Sequence, residues 1–149
     1  MTSPYAPVPT LDAGLPVRAF FTTRDGGFSA APFDSLNPAG HVGDIQEAVD
    51  ANRARIDGLA RARVAYMNQV HGDIVARVHR ADERVEADGL ITDAPGLALA
   101  VLVADCVPVL LHDASTGAVA AVHAGRQGIA KGVVVRDVGE TNRSAVVLL

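Results

Sequence analysis

Unbroken apolar runs alternate along the chain with stretches that have no period, and that contrast predicts the elements. The β-branched and aromatic segment "VRAFFTT" (17–23) predicts a strand ending in the turn "RDGG", where glycine admits positive φ. "FSAAPFDSLNPAGHVGD" (28–44) is rich in Pro, Gly, Asn and Ser and reads as a long ordered loop. A helical period begins at Asp44: Ile45, Ala48, Val49, Ile56 and Leu59 recur on one face with Asn52, and Asp44 with Glu47 makes a capping-box-like start. "VAYMNQVH" (64–71), "DIVARVH" (73–79) and "DGLIT" (88–92) read as extended segments. "GLALAVLVADC" (96–106), "VPVLLHD" (107–113) and "AVAAVHAG" (118–125) are continuous apolar runs, the signature of strands covered on both faces, and are expected at the centre of a sheet. "RQGIAKGVVVRDV" (126–138) reads as either a helix or an irregular segment, and the prolines near the N-terminus predict a loose arm.

The elements add up to an α+β fold of mixed α/β layers, a mostly buried central sheet with flanking helices. A length of 149 residues fits a single domain, 1–149, with a real core. The formal net charge is −4, and the 13 basic residues are scattered without interleaved aromatics, so no nucleic-acid footprint is present. A small polar substrate fits better. Asp105 interrupts the longest apolar stretch, Leu97 to Leu111, which is also shorter than the ~20 residues a membrane helix needs. No membrane partner is expected. One cysteine excludes an internal disulfide, and the first residues lack a secretory pattern, so a reducing cytoplasm is the expected location.

That cysteine, Cys106 in "ADCVP", raises the question of chemistry. It stands at the break between two apolar runs, as His71 in "NQVHG" and His123 in "AVHAG" stand at the ends of theirs. Three roles are open to Cys106: apolar packing, nucleophile with His123 as its base, or metal ligand. The separations along the chain are too long for a local metal knuckle, so any shared site must be assembled by the fold. Two imidazoles and a thiolate would hold zinc with one position open, the arrangement of catalytic sites, and Asp105 could orient a ligand or move a proton. His79 and His112 read as ordinary surface or edge residues.

The segments "FTTRDGGFSAAPFDSLN", "HVGD", "NQVHG", "ADGLIT", "LALAVLVADCVPVLLHD" and "AVHAG" together resemble the laccase-domain family, described both as multicopper polyphenol oxidases and as purine nucleoside phosphorylases. The resemblance implies a laccase-domain fold, similar to cytotoxic necrotizing factor, and zinc held by His71, Cys106 and His123. Copper belongs to the family's older description; one Cys and five His are too few for a multicopper set. The implied chemistry is phosphorolysis of adenosine, inosine, guanosine and methylthioadenosine, with adenosine deamination as a second activity. The partners are then a purine nucleoside and phosphate. Arg24 is the candidate for gripping phosphate, with Asp105 as the catalytic carboxylate and Asn37, His41 and Gln69 as candidates for ribose or base. The likeness fades after "AVHAG": where the family has Trp-Arg-Gly this chain has Arg126, Gln127 and Gly128, and from about residue 131 the family pattern is missing or divergent. Alternatives to the zinc enzyme are a metal-free Cys-His hydrolase and a truncated, catalytically impaired binding remnant. A sheet of such apolar runs with part of its cover gone predicts association with a second copy or a partner chain.

Overall fold

The computed structural model describes residues 6–136, which form an α+β fold with eight short strands, two helices and a further helical turn at 133–136. β1 (Thr10–Asp12) pairs antiparallel with β2 (Phe20–Thr22). The N-terminal segment is therefore not loose throughout: Ala13 N–H to Ala19 O and Thr23 N–H to Pro9 O close the two-stranded ribbon, while Pro7 and Pro9 stay outside the paired positions.

The helix α1 (Gln46–Ala60) buries Val49, Asn52 and Ile56, the face its period predicts. The expected capping box does not form. Ile45 is the N-cap without a side-chain bond, because Asp44 is committed elsewhere: its carboxylate accepts hydrogen bonds from Ser29 Oγ at 2.6 Å and Asn37 Nδ2 at 2.9 Å. These bonds hold the carboxyl below its ordinary range. Asp44 thus ties the preceding loop down.

β3 (Arg63–Ala65) runs parallel to β6 (Leu97–Leu99). The main sheet contains β4 (Val75–Arg77), β5 (Gly89–Thr92), β7 (Val107–His112) and β8 (Val119–Ala124) in the order β4-β5-β8-β7. The β4–β5 pair is parallel and the others antiparallel. The core gathers α1 against these sheets through Ile56, Leu90, Leu99, Val101 and Ala121. After β8, helix α2 (Arg126–Lys131) ends at Gly132, whose φ of 88° suits glycine, and settles the open alternative at 126 in favour of a helix.

Two expectations for the apolar runs need correction. Only Leu97–Leu99 of the run 96–106 lies in a strand; the chain then leaves the ladder, and the Gln69 side chain takes over the backbone of Leu102. The run 107–113 is not central. β7 is the edge of its sheet and is partly exposed along its length, since no described strand lies on its outer side. The expected divergence from about residue 131 falls mostly on residues 137–149, outside the described residues.

Candidate metal centre

Strand register brings the three candidate ligands together. Val107 pairs with Ala124 and Pro108 with His123, so Cys106, one residue before β7, arrives beside the end of β8. His71 comes from the loop after β3, with its backbone in the left-handed region at φ 61°. The rings of His71 and His123 meet edge to face with centroids 4.7 Å apart. One donor atom from each of His71, Cys106 and His123 lies within 4.8 Å of the other two. Donors bound at about 2.0–2.3 Å to one tetrahedral zinc lie about 3.3–3.6 Å apart, so a trio within 4.8 Å closes on an ion with side-chain shifts of about an ångström.

The space between them is kept by a glycine. A Cβ on Gly125 would stand 3.2 Å from His71 Cδ2, 3.4 Å from Cys106 Sγ and 3.6 Å from His123 Cε1. The donor set, two borderline nitrogens and one soft sulfur, suits zinc, and this hollow at Gly125 lets all three approach one centre. Burial is graded across the trio: His123 is buried, Cys106 half-buried and His71 exposed, so the centre is open on one side.

Asp88 stands behind the site. It precedes β5, and the pairing of Gly89 with Val122 sets it beside His123, whose Nδ1 lies 2.7 Å from Asp88 Oδ1. Backbone N–H groups of Val70, His71 and Gly72 donate to the same carboxylate. Burial alone pushes the Asp88 carboxyl up; the His123 bond, then the N–H groups of Gly72, Val70 and His71, outweigh it and leave the pKa below its ordinary value. The Cys106 thiol is shifted the other way, first by partial desolvation and then by Asp105, to which it donates at 3.5 Å. A neighbouring cation is what would favour its thiolate.

Two of the trio, His71 and His123, line a cavity of about 760 Å³ together with Asp105, Arg24, Asn37, His41 and Gln69, and Cys106 follows the lining residue Asp105 in the chain. That volume is in the range of small-molecule sites. The predicted residues differ in what their polar atoms do. Arg24 donates through Nε to Asp34 O at 2.7 Å and through Nη2 to Pro32 O at 3.4 Å, while most of its side chain is exposed. Asn37 closes a turn onto Ala39 and donates to Asp44. The Gln69 amide donates to Leu102 O and accepts from Leu102 N–H, so both its ends are engaged. His41 is exposed on the loop, and Asp105 is exposed beside Cys106. Arg126, where the family's Trp-Arg-Gly would begin, is exposed at the start of α2.

Sequence reasoning missed Asp88, Asn52 and Gly125 as organising residues. Asn52 is fully buried on α1; its Oδ1 accepts from Phe28 N–H, and its Nδ2 donates to Ser29 Oγ, Ser35 O and Asn37 O. It fixes the loop that walls the cavity. The available signal was chemical: a carboxylate within "ADGLIT" and an amide on an apolar helix face both need buried partners.

The fold places the chain in a class, and its sequence says which: the chain belongs to the multi-copper polyphenol oxidoreductase laccase family, whose sequence model matches residues 18–147. A purine nucleoside phosphorylase of Mycobacterium tuberculosis is 53% identical over 132 residues, covering 85% of this chain and 53% of the relative. One of Pseudomonas aeruginosa is 45% identical over 127 residues, covering 85% and 52%. Among solved structures, a DUF152 protein of Neisseria meningitidis superposes with a TM-score of 0.81 at 40% identity, covering 88% of this chain and 56% of that one. YlmD of Geobacillus stearothermophilus gives 0.79 at 35%, covering 89% and 56%. The chain spans about half the length of the curated relatives it matches. No helix among the described residues is long and apolar enough to cross a membrane.

Proposed function

We propose that this chain carries the metal-binding part of a zinc-dependent purine nucleoside phosphorylase, acting on adenosine, inosine, guanosine and methylthioadenosine, with adenosine deamination as a second activity. One observation carries it: two imidazoles and one thiol converge, with both imidazoles lining a cavity of small-molecule size, in a chain that shares 53% identity with proteins named for that reaction. His71, Cys106 and His123 would hold the ion, which supplies Lewis acidity when bound.

The chain's own residues divide the remaining work. Arg24, on the exposed wall, presents guanidinium N–H groups to phosphate. In phosphorolysis a phosphate oxygen bonds to C1′ as the bond to the purine nitrogen breaks, and its electron pair leaves with the base. Asp105 beside the centre is the group that handles the proton, and His41 contacts the ribose or base. Asn37 and Gln69 shape the same wall, and their engaged amides make them supports as much as contacts. The cytoplasm is the compartment proposed, where Cys106 stays reduced.

Elemental analysis of wild type and Cys106→Ala, with an assay for adenine and ribose 1-phosphate from adenosine plus phosphate, tests the proposal. Expected are bound zinc in wild type only and adenine release that a chelator abolishes. Adenine release that survives complete metal removal and yields free ribose in place of ribose 1-phosphate would instead favour the metal-free Cys106–His123 hydrolase. Zinc without turnover would leave a binding remnant.

A further inference from the structure

The three ligands and the cavity lining do not account for Asp88, a fully buried carboxylate. Its Oδ1 accepts from His71 N–H at 2.9 Å and lies 2.7 Å from His123 Nδ1. Its Oδ2 accepts from Gly72 N–H at 2.8 Å and Val70 N–H at 3.2 Å. The main chain of Asp88 is tied to the same places: its N–H donates to Ile74 O at 2.9 Å and its carbonyl accepts from His123 N–H at 2.7 Å. One residue therefore grips both histidine-bearing segments.

The left-handed backbone of His71 is unfavourable for a residue with a Cβ. It persists here where three successive N–H groups turn toward one anion, the geometry of an anion-binding nest. The anion in this nest is internal. With His123 Nδ1 committed to Asp88, Nε2 is the ring nitrogen left for an ion.

We propose that Asp88 is a positioning residue that sets both histidine ligands before an ion arrives, locking His123 with its proton on Nδ1 and holding the 70–72 loop that presents His71. A carboxylate serves because it only accepts, and every group around it is a donor. Asp88→Asn keeps the size but must turn an NH₂ group toward donors on one side or the other. Either the His123 proton moves to Nε2, where it blocks the ligand atom, or the 70–72 loop opens.

This role rests on the metal-site part of the proposed function and not on its nucleoside chemistry, so the tests use Zn²⁺ alone. In the full chain with ¹⁵N-labelled histidine and no metal, long-range ¹H–¹⁵N spectra are expected to show His123 protonated on Nδ1. In Asp88→Asn that signature is lost, and competition with a chromophoric chelator shows Zn²⁺ bound about 10- to 100-fold more weakly. A wild-type His123 with its proton on Nε2 overturns the proposal, whether or not the variant folds. So does a folded Asp88→Asn that keeps the wild-type tautomer and Zn²⁺ affinity while losing only thermal stability. Failure to release adenine would sink the phosphorylase proposal and leave both of these measurements standing.

Discussion

β7 and β8 look alike in sequence and differ in the molecule. Each has six residues, each is apolar with a single histidine, and they pair with each other along their whole length. Every residue of β8 is buried, because β5 and β7 flank it on either side; among the described residues β7 has only β8 beside it and is partly exposed throughout. Burial follows neighbours and not the apolar run itself. The pair also divides the metal centre: His123 lies within the covered strand, whereas Cys106 enters at the edge. Stability and metal binding should therefore be separable.

The largest contrast is available within one cross-strand pair, Val109 opposite Val122. Val122 is fully buried, so Val122→Asp buries an unpaired carboxylate and is expected to cost more than about 4 kcal/mol, enough to unfold the chain. Val109→Asp keeps access to water and should cost less than half as much. Chemical denaturation followed by circular dichroism measures both. Equal losses would mean that β7 is as covered as β8, contrary to the exposed edge.

Next in size is the loss of a ligand at the edge. Cys106→Ala should lower Zn²⁺ affinity by more than about 100-fold, while the metal-free chain changes stability by less than about 1 kcal/mol, since the thiol is only half-buried. A chelator competition and a metal-free melt give the two numbers. Gly125→Ala should act on affinity as well, by about tenfold, the equivalent of about 1.4 kcal/mol. Its φ of −73° and ψ of 162° suit any residue, so the effect comes from the Cβ crowding His71 and Cys106 and not from the backbone. Unchanged Zn²⁺ affinity would show that the ligands converge elsewhere.

The same contrast explains what the sequence could and could not reveal. His71, Cys106 and His123 were legible because each stands where an apolar run stops, and the α+β layering followed from run length and period. The edge position of β7 was not, because a run of apolar residues records what a strand needs and not which strands flank it. Asp88 looked like the first residue of the extended segment 88–92 and nothing more, since its donors lie up to 35 positions away in the chain. Asp44 looked like a helix cap for the same reason: its true partners, Ser29 and Asn37, belong to a loop whose path no local pattern specifies.

The smallest effect concerns the outer side of β7, on which no described strand lies. Val107 is 54% exposed at the start of β7, next to Cys106, so Val107→Lys removes little packing and should change stability by no more than about 0.5 kcal/mol. Its consequence is expected in association. An apolar edge with free N–H and C=O groups is a template for another strand, and a lysine is the residue type that natural edges use to prevent this. If a second copy covers β7, light scattering at rising concentration should show wild type self-associating and Val107→Lys remaining monomeric, with the fold unchanged. A wild type that stays monomeric throughout that range would mean that β7 needs no second copy, and the expectation of a homo-oligomer would fall while the metal centre stood.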